Sequence, residues 1–158
     1  MLAFLQIAAA AGSTEADTDA GIEDLKQGNY FAALTELLPP AKAGDARAQA
    51  NLALIYHYGL GIAANFTKAL QWYRAAALQG NIDGQIGLAV LYAQGQGVPT
   101  DLAIAHMWLN VVFDGLPPGP DRDRVGLDKE TIATRLTPQQ LQESERLVQS
   151  WYRNHQAP

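Results

Sequence analysis

Between Asp45 and Gly115 the apolar positions fall at helical spacing, stop at a glycine pair, and then do so again. Ala48, Leu52, Ile55 and Tyr56 stand at i, i+4, i+7 and i+8, one stripe along one helix. Gly59-Leu60-Gly61 ends it, because glycine takes positive φ without steric cost. Ala69, Trp72, Tyr73 and Ala76 then form the buried face of a second helix. The whole pattern returns about 36 residues later, within the range of helical-hairpin repeats. Tyr56 recurs as Tyr92, Gly59 as Gly95, Gly61 as Gly97, Ala69 as Ala105 and Trp72 as Trp108. Leu52-Ala53 returns as Leu88-Ala89 and Gly44 as Gly80, and Ala105, Trp108, Leu109 and Val112 repeat the second buried face. Gly44-Asp45 and Gly80-Asn81 each pair a helix-ending glycine with an N-cap side chain, and Asn65 and Asp101 can cap the second helices. The pattern predicts two hairpins, 45–80 and 81–115.

These residues resemble the Sel1-like repeat, a relative of the tetratricopeptide repeat. Its pattern is A-x-x-x-L-[GA]-x-x-Y-x-x-G-x-G-[VI], followed by K-A-x-x-W-Y-x-x-A-A-x-x-G. The first copy carries it as Ala48, Leu52, Ala53, Tyr56, Gly59, Gly61, Ile62, Lys68, Ala69, Trp72, Tyr73, Ala75, Ala76 and Gly80. The second carries Leu88, Ala89, Tyr92, Gly95, Gly97, Val98, Pro99, Asp101, Ala105 and Trp108. Ala53 and Ala89 stand where the family usually has glycine, Ile104 replaces a lysine, and Leu109 replaces the second aromatic. The resemblance implies an all-α fold: a right-handed superhelical solenoid of antiparallel helix pairs, closed by C-terminal capping helices.

Outside the two units the pattern loosens. Gly28, Tyr30, Ala33 and Leu34 keep the register of a degenerate first hairpin over 20–44, of the kind that caps a solenoid. Pro39-Pro40 is expected to end or kink its second helix. After Gly115, Leu116-Pro-Pro-Gly-Pro120 is a stiff connector opening the capping region 116–158. Asp121 is placed to cap a helix including Val125, Leu127, Ile132 and Ala133, weakened by Gly126. Thr137-Pro138-Gln139-Gln140 reads as a capping box. It opens a last helix whose buried face is Leu141, Leu147, Val148, Trp151 and Tyr152. Arg135 to Gln140 also resembles the C-terminal cap of secreted bacterial members of the family.

At the other end, Leu2 to Ala11 is apolar and closes on four alanines, like the core and cleavage site of a secretory signal, though no Lys or Arg precedes Lys26. Ser13 to Asp19 is polar and acidic, and reads as a flexible lead-in, which makes 1–19 a signal remnant plus linker. A periplasmic or secreted location follows, with the cytoplasm as the alternative. The apolar run is far shorter than the roughly 20 residues of a membrane span.

Composition narrows the function. A net charge of −5 without a basic cluster argues against nucleic acid. The chain has no cysteine, so disulfides, thiolate metal sites and thiol nucleophiles are ruled out. His57, His106 and His155 lack metal-ligand spacing, and His57 is placed off the packing stripe as a surface or groove residue. Gly95-Gln96-Gly97 has no strand before it and no lysine after it, so it is a repeat turn rather than a phosphate loop. Asp121 and Asp123 sit at a helix start, where the dipole accounts for them. Trp72 and Trp108 occupy equivalent core positions, and Glu143, Glu145 and Arg146 form a solvated face. No catalytic residue, metal site or cofactor is expected.

Subtracting the packing positions leaves Arg47, Asn51, Leu54, His57 and Tyr58 in the first unit, and Asp83, Ile86, Val90 and Gln94 in the second. These would line the concave wall formed by the first helix of each unit. In tetratricopeptide arrays an asparagine matching Asn51 often holds a peptide backbone or carboxylate, while Gly87 occupies the twin position here. The reading is a non-enzymatic adaptor or scaffold that binds a peptide or partner protein, with self-association left open. The alternative is a cell-wall-related, β-lactamase-like hydrolase, as proposed for cysteine-rich relatives whose stapling cysteines this chain lacks.

Overall fold

The computed structural model describes the backbone of residues 2–155 and the side chains of residues 15–155. The described residues form eight helices and no strand: α1 (Leu2–Gln27), α2 (Tyr30–Ala43), α3 (Ala46–Tyr58), α4 (Phe66–Ala77), α5 (Ile82–Gln94), α6 (Leu102–Gly115), α7 (Pro120–Ala133) and α8 (Pro138–His155). They divide into two compact units, residues 1–84 and 85–158.

Local chemistry sets the helix boundaries. Gly44 is left-handed at φ 104° and closes α2, and the next residue, Asp45, accepts from the Ala48 amide at 2.7 Å to open α3. Asn65 caps α4 through Lys68 N–H at 2.9 Å, and Asn81 takes the Gly84 amide at 2.8 Å. Asp101 accepts from both Ala103 and Ile104 at 3.0 Å. Such caps supply partners for amides that a helix start leaves unpaired. In α8 the Gln140 amide donates to Thr137 Oγ1, while Thr137 N–H donates to Gln140 Oε1 at 2.9 Å, completing the capping box.

In the first unit, Ala33, Leu37 and Ala41 of α2 meet Ala48, Leu52 and Ile55 of α3, with Tyr56 and Trp72 half-buried against them. Gln49 is buried in the same layer, donating to Ala41 C=O at 3.0 Å and accepting from Gln79 at 2.8 Å. At the start of α5, Gly84 lies so close to α4 that a Cβ would sit 2.7 Å from Ala76 Cβ and 2.8 Å from Ala77 N.

The second unit is built on Leu88, Ala89, Leu91, Ala105, Trp108, Leu109 and Val112, joined by Val125 and Ile132 of α7. Arg122 and Lys129 of α7 both lie over the Phe113 ring, at 4.4 and 4.1 Å from its centroid. The α8 helix is tied to α6 by Ser144, which is fully buried and bonded to His106 Nδ1 at 2.8 Å. The Trp151 ring packs edge-on to Trp108, and the Tyr152 hydroxyl donates to Asp114. Burial holds the His106 pKa below the ordinary histidine value; Lys129 adds to the shift and Glu145 opposes it.

Four expectations need correction. Ser13 to Asp19 lies within α1 rather than in a flexible lead-in, and there Thr18 is fully buried and Asp19 pairs with Arg47 of α3 at 2.7 Å. The side chains of the signal-like run Leu2 to Ala11 lie outside those described. Pro39 and Pro40 do not end α2, which continues to Ala43 with Pro40 buried in the core; the Pro40 carbonyl accepts from Asp45 N–H at 3.0 Å. Gly119, not Asp121, precedes α7, because Pro120 takes the first helical position and leaves Asp121 and Asp123 in the first turn. Leu141 is exposed; the inward face of α8 begins at the buried Ser144 and runs on through the half-buried Leu147, Val148, Trp151 and Tyr152.

Two predictions follow from this packing. Alanine in place of a helical glycine ordinarily gains about 1 kcal/mol of propensity. At Gly84 the backbone of α4 blocks the new methyl, and overpacking costs about 1–3 kcal/mol. Gly84→Ala should therefore lower the Tm, while Gly115→Ala, with open space around it, should leave it unchanged or raise it. Thermal melts of both variants check this. Because His106 favours its neutral form in the folded state, the unfolded chain binds the proton more tightly. Its contribution is complete above about pH 6.5 and is lost as pH falls below that value. Urea midpoints measured from pH 7.5 to 5 should fall more steeply for the parent than for His106→Gln; parallel curves would contradict this.

Candidate functional site

The residues left over by the packing fall into two groups. In the first unit, Arg47, Asn51, Leu54 and Tyr58 follow one another along α3 at i, i+4, i+7 and i+11. Arg47 is exposed but engaged with Asp19, and Asn51 Nδ2 donates to Arg47 C=O at 2.9 Å, which leaves the Asn51 Oδ1 as an acceptor. Leu54 is half-buried, and Tyr58 is 63% exposed, a large aromatic at the end of the row.

His57 is not a surface or groove residue. It is 6% exposed, stacked beneath Tyr58 at 4.4 Å and edge-on to Phe66 and Tyr73 at 5.9 Å. Its Nδ1 faces the Tyr73 hydroxyl at 3.5 Å. Burial pushes the Tyr73 phenol well above its usual range, with Tyr58 and the exposed Asp83 adding to the shift, so it stays protonated at neutral pH. His57 thus supports the Tyr58 ring from below. Asp83 acts on this cluster through its charge.

In the second unit, Ile86, Val90 and Gln94 form one row along α5 and line a cleft of about 220 Å³. Ala89, Ala93 and Leu109 line it as well, and α7 contributes Asp128, Thr131 and Ile132. Sequence reasoning found the α5 row and missed the α7 side. The 3.6-residue spacing that places Asp128, Thr131 and Ile132 together was present, but nothing in it said which helix they would face. Asp128 is the one acidic side chain in the lining. Of the three cations of α7, Arg122 and Lys129 are turned to Phe113, and Arg124 is exposed.

His106, Ser144 and Asn110 bring a histidine and a hydroxyl within hydrogen-bonding distance, which invites comparison with a nucleophile and its base. Ser144 has no exposed surface, so no substrate can reach its hydroxyl, and the cluster fastens α8 to α6. His155 is engaged by Trp151 of its own helix, stacked at 3.5 Å. Among the described residues no three His, Cys, Asp or Glu side chains gather where they could hold a metal ion. No helix there is long and apolar enough to cross a membrane.

Comparison with known proteins gives the fold its context. The Sel1 repeat matches residues 46–81 and 82–110. A protective antigen of uropathogenic Escherichia coli strains, whose crystal structure displays an SLR fold, is similar over 92% of this chain with 26% identity and a TM-score of 0.80. A Sel1 repeat protein from Oxalobacter formigenes is similar over 61% of it, with 32% identity and a TM-score of 0.58. The matched regions span 31% and 40% of those two chains. No curated protein matches. With its glycine turns, side-chain caps and helix pairs in the same register, the stretch 46–110 consists of two Sel1 repeats.

Proposed function

We propose that the chain is a non-enzymatic protein–protein interaction module, and that it holds a peptide or partner protein against the outward rows of α3 and α5. The observation that carries this reading is the contrast along those helices. Most of α3 is buried, yet it ends on Tyr58, an aromatic 63% exposed and backed by a buried histidine. Surface aromatics held in one orientation are favoured anchors in protein interfaces, because they bury much area for little entropy. The α5 row adds an apolar cleft with amide and carboxylate groups in its lining. The two Sel1 repeats support the same use, since Sel1-like repeats commonly serve as interaction modules. The acidic net charge favours a partner that is not itself acidic.

The compartment belongs to the same proposal. The apolar run from Leu2 and the alanines ending at Ala11 favour export to the periplasm or beyond. Mass analysis of the protein from its native host should find an N-terminus near Gly12; an intact Met1 would remove the export reading.

Capture from host fractions tests the binding reading, with the parent compared against a Tyr58→Ala, Asn51→Ala, Gln94→Ala variant. His57 is left intact, because its removal would open the core under Tyr58. A partner should be held by the parent and reduced at least about tenfold in the folded variant, the scale expected when an aromatic anchor is truncated. Equal recovery by both would move the binding surface elsewhere.

A further inference from the structure

The cleft in the second unit has features that specify its occupant more closely. Its volume of about 220 Å³ is larger than the ~150 Å³ cavity that holds benzene and smaller than the ~300–1,000 Å³ of sites for drug-sized ligands. Its surface comes mainly from Ile86, Ala89, Val90, Ala93, Leu109 and Ile132. The three polar residues in the lining are Gln94, Thr131 and Asp128, all exposed. Thr131 spends its hydroxyl on Leu127 C=O at 2.8 Å. Asp128 forms no ion pair among the described residues; of the three cations of its own helix, Arg122 and Lys129 lie over the Phe113 ring, and Arg124, one turn before Asp128, is exposed. The cleft therefore combines room for one ring or branched aliphatic group with a single carboxylate, the one acidic side chain in its lining.

We propose that this cleft is an anchor pocket for one large apolar side chain of a partner peptide, flanked on that peptide by lysine or arginine. The proposal rests on the interaction-module reading and names the chemistry of the partner at this site. The apolar side chain displaces water from the Ile86, Val90 and Ile132 walls, while the neighbouring cation meets the Asp128 carboxylate. An acidic neighbour would face that carboxylate at short range and be repelled.

Methyl NMR of the full chain provides the test, with three probes: acetyl-Gly-Lys-Phe-Lys-Gly-amide, its Glu-Phe-Glu counterpart and its Lys-Ala-Lys counterpart. The Lys-Phe-Lys peptide should shift the methyls of Ile86, Val90 and Ile132 saturably, and the other two should not. Asp128→Asn should weaken that binding about twofold to fivefold, as expected for an exposed ion pair. Thr131→Trp, a substitution at an exposed position, should fill the mouth and abolish it. Equal binding of the Glu-Phe-Glu peptide, or no shift at these methyls, would overturn the proposal. So would shifts that depend on protein concentration without peptide, which would assign the cleft to a second copy of this chain. In any of those outcomes, a partner captured by the parent and lost by the Tyr58 variant would still support the interaction module, so the two readings fail separately.

Discussion

Each repeat hairpin turns on one backbone hydrogen bond, from the amide of the second helix's N-cap to the carbonyl of the tyrosine in the first helix. Asn65 N–H donates to Tyr56 C=O at 2.7 Å, and Asp101 N–H donates to Tyr92 C=O at 2.9 Å. The bond ties the far end of a glycine loop back to the helix that entered it. Around it the same partners recur: Leu60 to Ile55 and Gln96 to Leu91, then Ala69 to Asn65 and Ala105 to Asp101. The joints between hairpins repeat as well, with Asp45 N–H on Pro40 and Asn81 N–H on Ala76. Close approach follows from these joints. Gly84 can lie against the α4 backbone only because the Gly80-Asn81 turn starts α5 there and because glycine carries no Cβ.

That arrangement was legible in the residues because its rules are local. A left-handed glycine, an Asp or Asn cap and an apolar stripe act within a few residues of one another, and the repeat supplied each of them twice. The proline pair was misleading for a similar reason. Pro39 and Pro40 remove two amide donors, but the Pro40 ring is buried in the core, so tertiary packing outweighs the local rule. The polar stretch ending at Asp19 was misread because neither its burial partner nor Arg47, 28 residues on, can be seen locally.

The site was half legible. Subtraction found the Ile86, Val90 and Gln94 row, because helical period alone sets them side by side. It could not find Asp128, Thr131 and Ile132, whose place in the cleft depends on how α7 folds back. It misplaced His57 because it assumed one buried stripe, whereas α3 packs on both sides and buries Gln49, Ala50, Ala53 and His57 besides the stripe itself. One signal went unused: Gln49 and Gln85 share the repeat offset and are both buried, so a polar residue kept in register was marking an interior hydrogen-bonding position.

The central claim is that the outward rows of the first helices, and not the second helices, meet the partner. Hydrogen–deuterium exchange of the full chain, alone and with its captured partner bound, addresses it most directly. The account predicts slowed exchange at the Tyr58 end of α3 and in α5 and α7 around the cleft, with α4 and α8 unchanged. Slowing confined to α4, α6 or α8 would contradict it.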